Sequence, residues 1–352
     1  MKSLSNTITK VLNESYSIYE DDVDIEVVMG EFYKKYRTTG RYKVVEGNGI
    51  YIINVNGVVT LSPRSGATTL TNNRFKWGEV KKFICENCRS LKSLEGAPEK
   101  CYEFNCIHCT SLTSLEGAPQ ECERFICTEC GFLKSFNGAP QKCSYFDCTN
   151  CVRVKSLEGV PQECDEFNCS NCENITSLNG APRKCRVFDC AGTSISTLAG
   201  VPKGCEKFVC TSCKSLTSLK GAPNAQYFVC QACNSLTSLK GAPQDCERFD
   251  CGWCLGITDL SGAPQRCEER FNCIGCESLT SLNGAPKECD VLDISHCKNL
   301  ASLDNLPTIH TALIAMDLDD LVDDLKNSSK FEVITDHASS FYFYQKYNKD
   351  IY

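Results

Sequence analysis

Residues 101–121 read CYEFNCIHCTSLTSLEGAPQE, and the chain then begins again with Cys122, Phe125, Cys127 and Cys130. Eleven of the twelve prolines keep this beat, at 98, 119, 140, 161, 182, 202, 223, 243, 264, 286 and 307, with spacings of 20 to 22 residues. Glycine follows it two residues earlier, from Gly96 to Gly284, until Asn305 takes its place. Phenylalanine does the same at 83, 104, 125, 146, 167, 188, 208, 228, 249 and 271, and Leu292 completes the series. Three ladders of one period define a solenoid, in which each coil buries its apolar side only against its neighbours. Proline removes a backbone donor, so the proline side needs no ladder and the strands belong at the Phe-x-Cys segments. With parallel strands ~4.8 Å apart, eleven coils predict a rod or arc on the order of 50 Å long.

The 29 cysteines all fall between Cys85 and Cys297 and include nine CxxC pairs, from Cys85/Cys88 to Cys273/Cys276. Paired CxxC motifs commonly ligate zinc. The exceptions argue for packing instead: Thr193 stands near the second cysteine position of its unit, and Ile294 replaces the first in the last full unit. Isoleucine cannot ligate a metal but fills an apolar slot, as free cysteine does. The expectation is an internal thiol ladder with no metal and no cofactor. A zinc-binding or thiol-redox protein using the CxxC ladder is the rival reading. Adjacent rungs also bring like cysteines within the Cα range that permits disulfides.

Cys122, Phe125, Cys127, Cys130 and Leu133 spell CxxFxCxxCxxL, which resembles the leucine-rich-repeat core LxxLxLxxN/CxL with cysteine at two leucine positions and at the Asn/Cys position. The remainder, SLTSLEGAPQ, resembles the short variable half of bacterial leucine-rich repeats, where a proline-containing segment replaces the convex helix. NVNGVVTLS followed by FKWGEVKKFIC is similar to the lead-in of SLEGAP-type repeat proteins of tailed bacteriophages. The resemblance implies a mainly β, leucine-rich-repeat-like solenoid of about eleven coils. It covers residues 83–310, with an N-terminal helix and β cap over 1–82 and a capping strand, helix and aromatic tail over 311–352. It also implies a phage-encoded protein acting on a host or virion partner.

In the head, Val23, Val27, Val28, Phe32 and Tyr36 recur at near-helical spacing and predict a helix from Asp22 to about Tyr36. YKVV and IYIINV read as strands and Asn56-Gly57 as a hairpin turn. Phe75 and Trp77 are expected to cover the first coil. MKSLSNTITKVLNES resembles the capsid-targeting peptides of phage internal head proteins, and Leu12, Glu14 and Ser15 match their processing pattern, so a virion-associated structural role is a second alternative. In the tail, Thr311–Ala315 falls where a twelfth strand belongs and Asp317–Lys326 reads as a short helix. The aromatic run Phe341, Tyr342, Phe343, Tyr344 and Tyr347 is expected either to pack on that cap or to dock a partner.

With 44 acidic against 37 basic residues the net charge is −7, which opposes general nucleic-acid binding. No apolar run approaches the ~18–20 residues of a spanning helix, and the opening lacks the apolar stretch of a secretory signal. The expectation is a cytoplasmic protein without membrane contact. The four histidines stand in separate contexts, and no nucleophile, phosphate-loop or dinucleotide motif occurs, so no enzyme is expected. Charged residues at one phase, such as Glu95, Glu116 and Lys220, read as a solvated face. Recognition is assigned to the variable positions just before Phe, between Phe and Cys, and just after that Cys. There Tyr227, Arg248 and Arg270, with Trp253 one place beyond the last of these positions, cluster on neighbouring rungs, and these residue types dominate protein-binding hot spots.

Overall fold

The structure, a computed structural model, describes residues 34–47, 50–71, 75–326, 330–340 and 343. The chain forms two compact units, one reaching Val154 and including Glu158–Cys164, the other made of Lys155–Leu157 and residues from Asp165 onward. Each is a stretch of parallel-strand β-solenoid with very little helix, the fold class that the repeat predicts. Among the described residues no helix is long and apolar enough to cross a membrane. The processing motif at Leu12, Glu14 and Ser15 and most of the helix expected from Asp22 lie outside the described residues.

The first unit opens with β1 (Tyr36–Gly47) and β2 (Ile50–Leu61), paired antiparallel from Tyr36 opposite Leu61 to Gly47 opposite Ile50. Lys34 and Lys35 are helical and Tyr36 starts the strand, so the helix ends one residue before the expected boundary. The chain reverses between Gly47 and Ile50, and Asn56-Gly57, expected to be the turn, lies inside β2 opposite Arg41 and Gly40. The physical reason is period: Ile53, Val55, Val59 and Leu61 are all buried at alternate positions, and Gly57 occupies the same inward phase. β3 (Phe75–Ile84) joins β2 in parallel, and β4 (Lys100–Asn105), β5 (Glu121–Ile126) and β6 (Tyr145–Asp147) follow in chain order. Phe75 and Trp77 are buried with Tyr36 in an edge-to-face cluster against Phe83, the ring centroids of Tyr36 and Trp77 lying 5.0 Å apart.

The second unit contains β7 (Glu163–Asn168), whose first two residues belong to the first unit. Then come β8 (Lys184–Asp189), β9 (Lys207–Val209), β10 (Tyr227–Val229), β11 (Asp245–Asp250) and β12 (Arg266–Asn272). β13 (Glu288–Asp293), β14 (Thr308–Ile314) and β15 (Glu332–Ile334) complete it, and β8 to β15 pair in parallel in chain order. β14 supplies the expected twelfth strand as far as Ile314, and α1 (Asp319–Val322) with a 3-10 turn at Asp323–Leu325 lies in the expected helical segment. β15 is a further rung within the segment assigned to the tail.

Within one coil Cys106, Cys109, Leu112, Leu115 and Ala118 are buried at every third residue. Tight turns create that spacing: the Cys109, Leu112 and Ala118 amides donate to the carbonyls of Cys106, Cys109 and Leu115, at 3.3, 3.0 and 2.9 Å. The Leu-Glu-Gly-Ala turn needs a left-handed third residue, and Gly117 supplies φ +85. A Cβ there would meet the Glu95 Cα of the preceding coil at 2.4 Å. Asn305, a residue that tolerates the left-handed region, closes the equivalent turn at φ 65. The phenylalanines stack as columns at centroid spacings of 5.4 to 5.5 Å from Phe83 to Phe146, and of 5.2 to 5.9 Å from Phe167 to Phe271.

Two glycines in one coil provide a test. Gly138 has φ +86, and a Cβ would stand 2.5 Å from the Glu116 Cα, whereas Gly131 has nothing within 4 Å of its Cβ position. Gly138→Ala is expected to destabilise by about 2 kcal/mol or more, and Gly131→Ala to change stability by less than about 1 kcal/mol. Thermal unfolding of both variants reads the difference, and equal melting temperatures would contradict the close-approach argument.

Candidate functional site

The CxxC thiols are inside the coils and point along the solenoid. The Sγ atoms of Cys109, Cys130 and Cys151 donate to the carbonyls of Cys85, Cys106 and Cys127 one coil back, at 3.0, 3.2 and 3.2 Å. In the second unit Cys213, Cys233, Cys254, Cys276 and Cys297 make the same bond at 3.1 to 3.3 Å. Thr193 keeps a donor in this column, its hydroxyl reaching the Cys190 carbonyl at 2.8 Å. The position therefore asks for a small, largely apolar side chain with a weak donor, which is what cysteine is. Among the described residues no group of three or more His, Cys, Asp and Glu is placed to hold a metal ion. Burial pushes the thiols of Cys85, Cys127 and Cys190 well up and those of Cys88, Cys205 and Cys289 up to about 12.

Of the four recognition candidates the structure brings three together. Tyr227, Arg248 and Arg270 sit directly opposite one another on β10, β11 and β12. The Arg248 guanidinium lies 5.5 Å from the Tyr227 ring centroid, and its Nε donates to Glu269. A hydrogen bond to Glu247 holds the Tyr227 hydroxyl protonated, up to about 12. Arg270 Nη2 reaches the fully buried Asp293 carboxylate at 3.2 Å. Trp253 lies one column over, on the CxxC turn that follows β11, in the left-handed third position and 45% exposed. Its ring crosses Gly275, where a Cβ would meet Cε3 at 2.4 Å, and stacks with His296 at 6.1 Å. His296 in turn shares a 2.7 Å hydrogen bond with Asp317 and stacks with His337 at 6.0 Å.

The positions between Phe and Cys, assigned above to recognition, have a structural duty in most coils. The side-chain oxygens of Asn105, Asp147, Asn168, Asp189, Asp250 and Asn272 accept the amide two residues on and so steer the chain into the CxxC turn. Asp250 also accepts from Gln231 at 2.7 Å and Asn272 at 2.9 Å, and burial raises its carboxyl. Alternation of Asx with Ile84, Ile126, Val209 and Val229 hid this signal in the sequence. The remaining strand face is built of ion pairs between successive rungs: Lys100–Glu121–Lys142 at 2.7 and 3.1 Å, and Glu166–Arg186–Glu206 at 3.0 and 3.4 Å.

The face is closed over its last rungs. Phe343 is buried against Val291, Ala312, Ile314 and Ile334 on β13, β14 and β15, so this one residue of the aromatic run packs on the cap. Phe341, Tyr342, Tyr344 and Tyr347 lie outside the described residues. No family model, curated protein or solved structure matches the chain.

Two measurements check this description. A buried thiol with a folded-state pKa near 12 and an unfolded value near 8.5 binds more protons folded than unfolded between those limits. Its stabilisation is complete below about pH 8.5 and falls by about 1.4 kcal/mol per pH unit above it, so Cys88, Cys205 and Cys289 together remove about 4 kcal/mol per unit. Circular dichroism is expected to show a steep loss of fold between about pH 9.5 and 10.5, roughly one to two units above the free-thiol value, and a flat response to pH 11 would contradict it. Phe343→Ala is expected to cost about 3 kcal/mol locally, seen as faster amide exchange in β14 and β15 with β10 and β11 unchanged.

Proposed function

We propose that the chain is a non-enzymatic protein-binding solenoid that recognises its partner through the strand face, centred on Tyr227, Arg248 and Arg270 with Trp253 beside them. The observation that carries this reading is the register: three hot-spot residue types on adjacent rungs, on a backbone held rigid by the buried columns. Arg and Tyr recur on the strand face of the first unit, where the Arg124 guanidinium lies 3.9 Å from the Tyr145 ring centroid. A solenoid supplies many rungs whose outward residues vary independently of the core. The resemblance to leucine-rich-repeat and phage SLEGAP-type proteins supports a phage-encoded protein acting on a host or virion partner, in the host cytoplasm or in the virion.

The full chain immobilised as bait, beside a Tyr227→Ala/Arg248→Ala/Trp253→Ala variant with an unchanged circular dichroism spectrum, tests the face. The expected result is at least about a tenfold weaker capture of the specific partner, the loss of one or two hot spots. Equal affinity for wild type and variant removes the proposed face.

A further inference from the structure

The third cysteine column, three residues before Phe in most coils and four in the coil of Cys267, differs from the two CxxC columns because it lies at the strand entry. Of the 29 cysteines, Cys101 alone is not buried. It is the first member of its column, opposite Val80 on β3 and Cys122 on β5. β2 slips in register against β3 at Ile53/Val55 and again at Val55/Val58. Beside that slip runs a groove of about 900 Å³, lined by Cys101, Cys122 and Cys143 on successive rungs, with Tyr102 and Asn54 on its walls and the Lys100–Glu121–Lys142 ladder along its edge. That volume admits a molecule of small-peptide size.

The geometry points to a thiol–disulfide exchange site in this groove: Cys101 attacks a low-molecular-weight disulfide and Cys122 resolves the product into a Cys101–Cys122 cross-link. In the first step the Cys101 thiolate bonds to one sulfur of the small disulfide. The S–S bond of that molecule breaks, and its other half leaves as a thiol carrying the proton lost by Cys101. In the second step the Cys122 sulfur bonds to that of Cys101 and the second small thiol leaves with the Cys122 proton. The small disulfide is reduced by two electrons and the protein pair is oxidised by two. In-register neighbours on parallel strands meet the Cα requirement for a disulfide. The equivalent pair on β11 and β12, Cys246 and Cys267, has its sulfurs 3.8 Å apart, within reach of side-chain rotation. Both members of that pair are buried, so the same spacing there lacks an entry. The CxxC thiols are likewise buried, and most donate to a backbone carbonyl, as Cys143, Cys185 and Cys267 of the third column also do.

The test treats the reduced, folded full chain with oxidised glutathione at pH 7.5, traps remaining thiols by alkylation and maps every cysteine by peptide mass spectrometry. Cys101 is expected to react about tenfold or more faster than any other thiol, because reactivity follows access and thiolate fraction, and the wild type is expected to accumulate the Cys101–Cys122 cross-link. Cys122→Ala, a residue that the column already accommodates at Ala225, is expected to stop at a stable Cys101–glutathione mixed disulfide. Cys101→Ala is expected to leave the column unmodified over the same time. Reaction spread evenly over the cysteines, or a wild type that stops at the mixed disulfide, overturns the proposal, and the wild-type map alone decides this should a variant fail to fold.

Discussion

Every inward side chain in these coils must tolerate its own copy one rung away, roughly 4.8 Å along the stack, and that constraint selects the composition. Phenylalanine satisfies it by offset parallel stacking, the planes of Phe104 and Phe125 differing by 6° and those of Phe249 and Phe271 by 8°. Glycine satisfies it where the turn presses on the backbone of the preceding coil. A charge cannot satisfy it, since like charges on neighbouring rungs repel. On the outward face the repeat therefore breaks its own identity, and Lys100, Glu121 and Lys142 alternate in sign where Phe104, Phe125 and Phe146 do not vary. Exposed pairs of this kind add little to stability because solvent screens them; their larger effect is on register, because a slip by one coil would set like against like.

The same constraint decides what could be read without coordinates. Columns of identical residues, Phe, Gly and Pro, announce themselves as a period, so the coil, its strand and its glycine turn were legible. Columns met by chemically unlike residues were not. Asn105, Ile126 and Asp147 share one position, yet only the two Asx residues cap the following turn, and their alternation with an aliphatic reads as free variation. The left-handed third residue of CxxC is still more disguised, since His108, Glu129, Ser212 and Trp253 all adopt it. There the neighbouring coil imposes the conformation: the amides of His108 and Ser212 donate to Thr128 and Gln231 at 3.0 and 2.7 Å, which outweighs the local preference.

The two ends escape the repeat and were read least well. At the head, Asn56-Gly57 is a strong local turn signal that loses to twelve consecutive pairings along β1 and β2. At the tail, β15 has neither the Gly-Ala-Pro nor the cysteine of its predecessors, but its Val333 falls opposite Leu313 and extends the inward column. Phe343 then closes the face over Ile314 and Ile334, positions that are aliphatic where β11 and β13 carry Asp250 and Asp293. Isoleucine at both positions gives Phe343 an apolar surface, and the cap starts there. The Tyr227, Arg248 and Arg270 column reaches Val291 at this border.

Ends also explain how one residue type can hold two chemistries in one solenoid. Inside the stack a cysteine is surrounded by copies of its own environment, buried, with its donor in most coils directed at a carbonyl. Of the substitutions seen there, Thr193 keeps a donor and Ile294, Ala225 and Ile309 are buried and apolar, and none preserves reactivity. Reactivity needs an environment that the repeat does not supply. Cys101 meets one because the coil before it abuts the cap: Val80 takes the cysteine position there, and β2 leaves the register of β3 twice. The thiol that opens the column therefore faces a groove made by the cap, with a second thiol already in register behind it. In a molecule whose interior is defined by translation, chemistry is found where the translation begins.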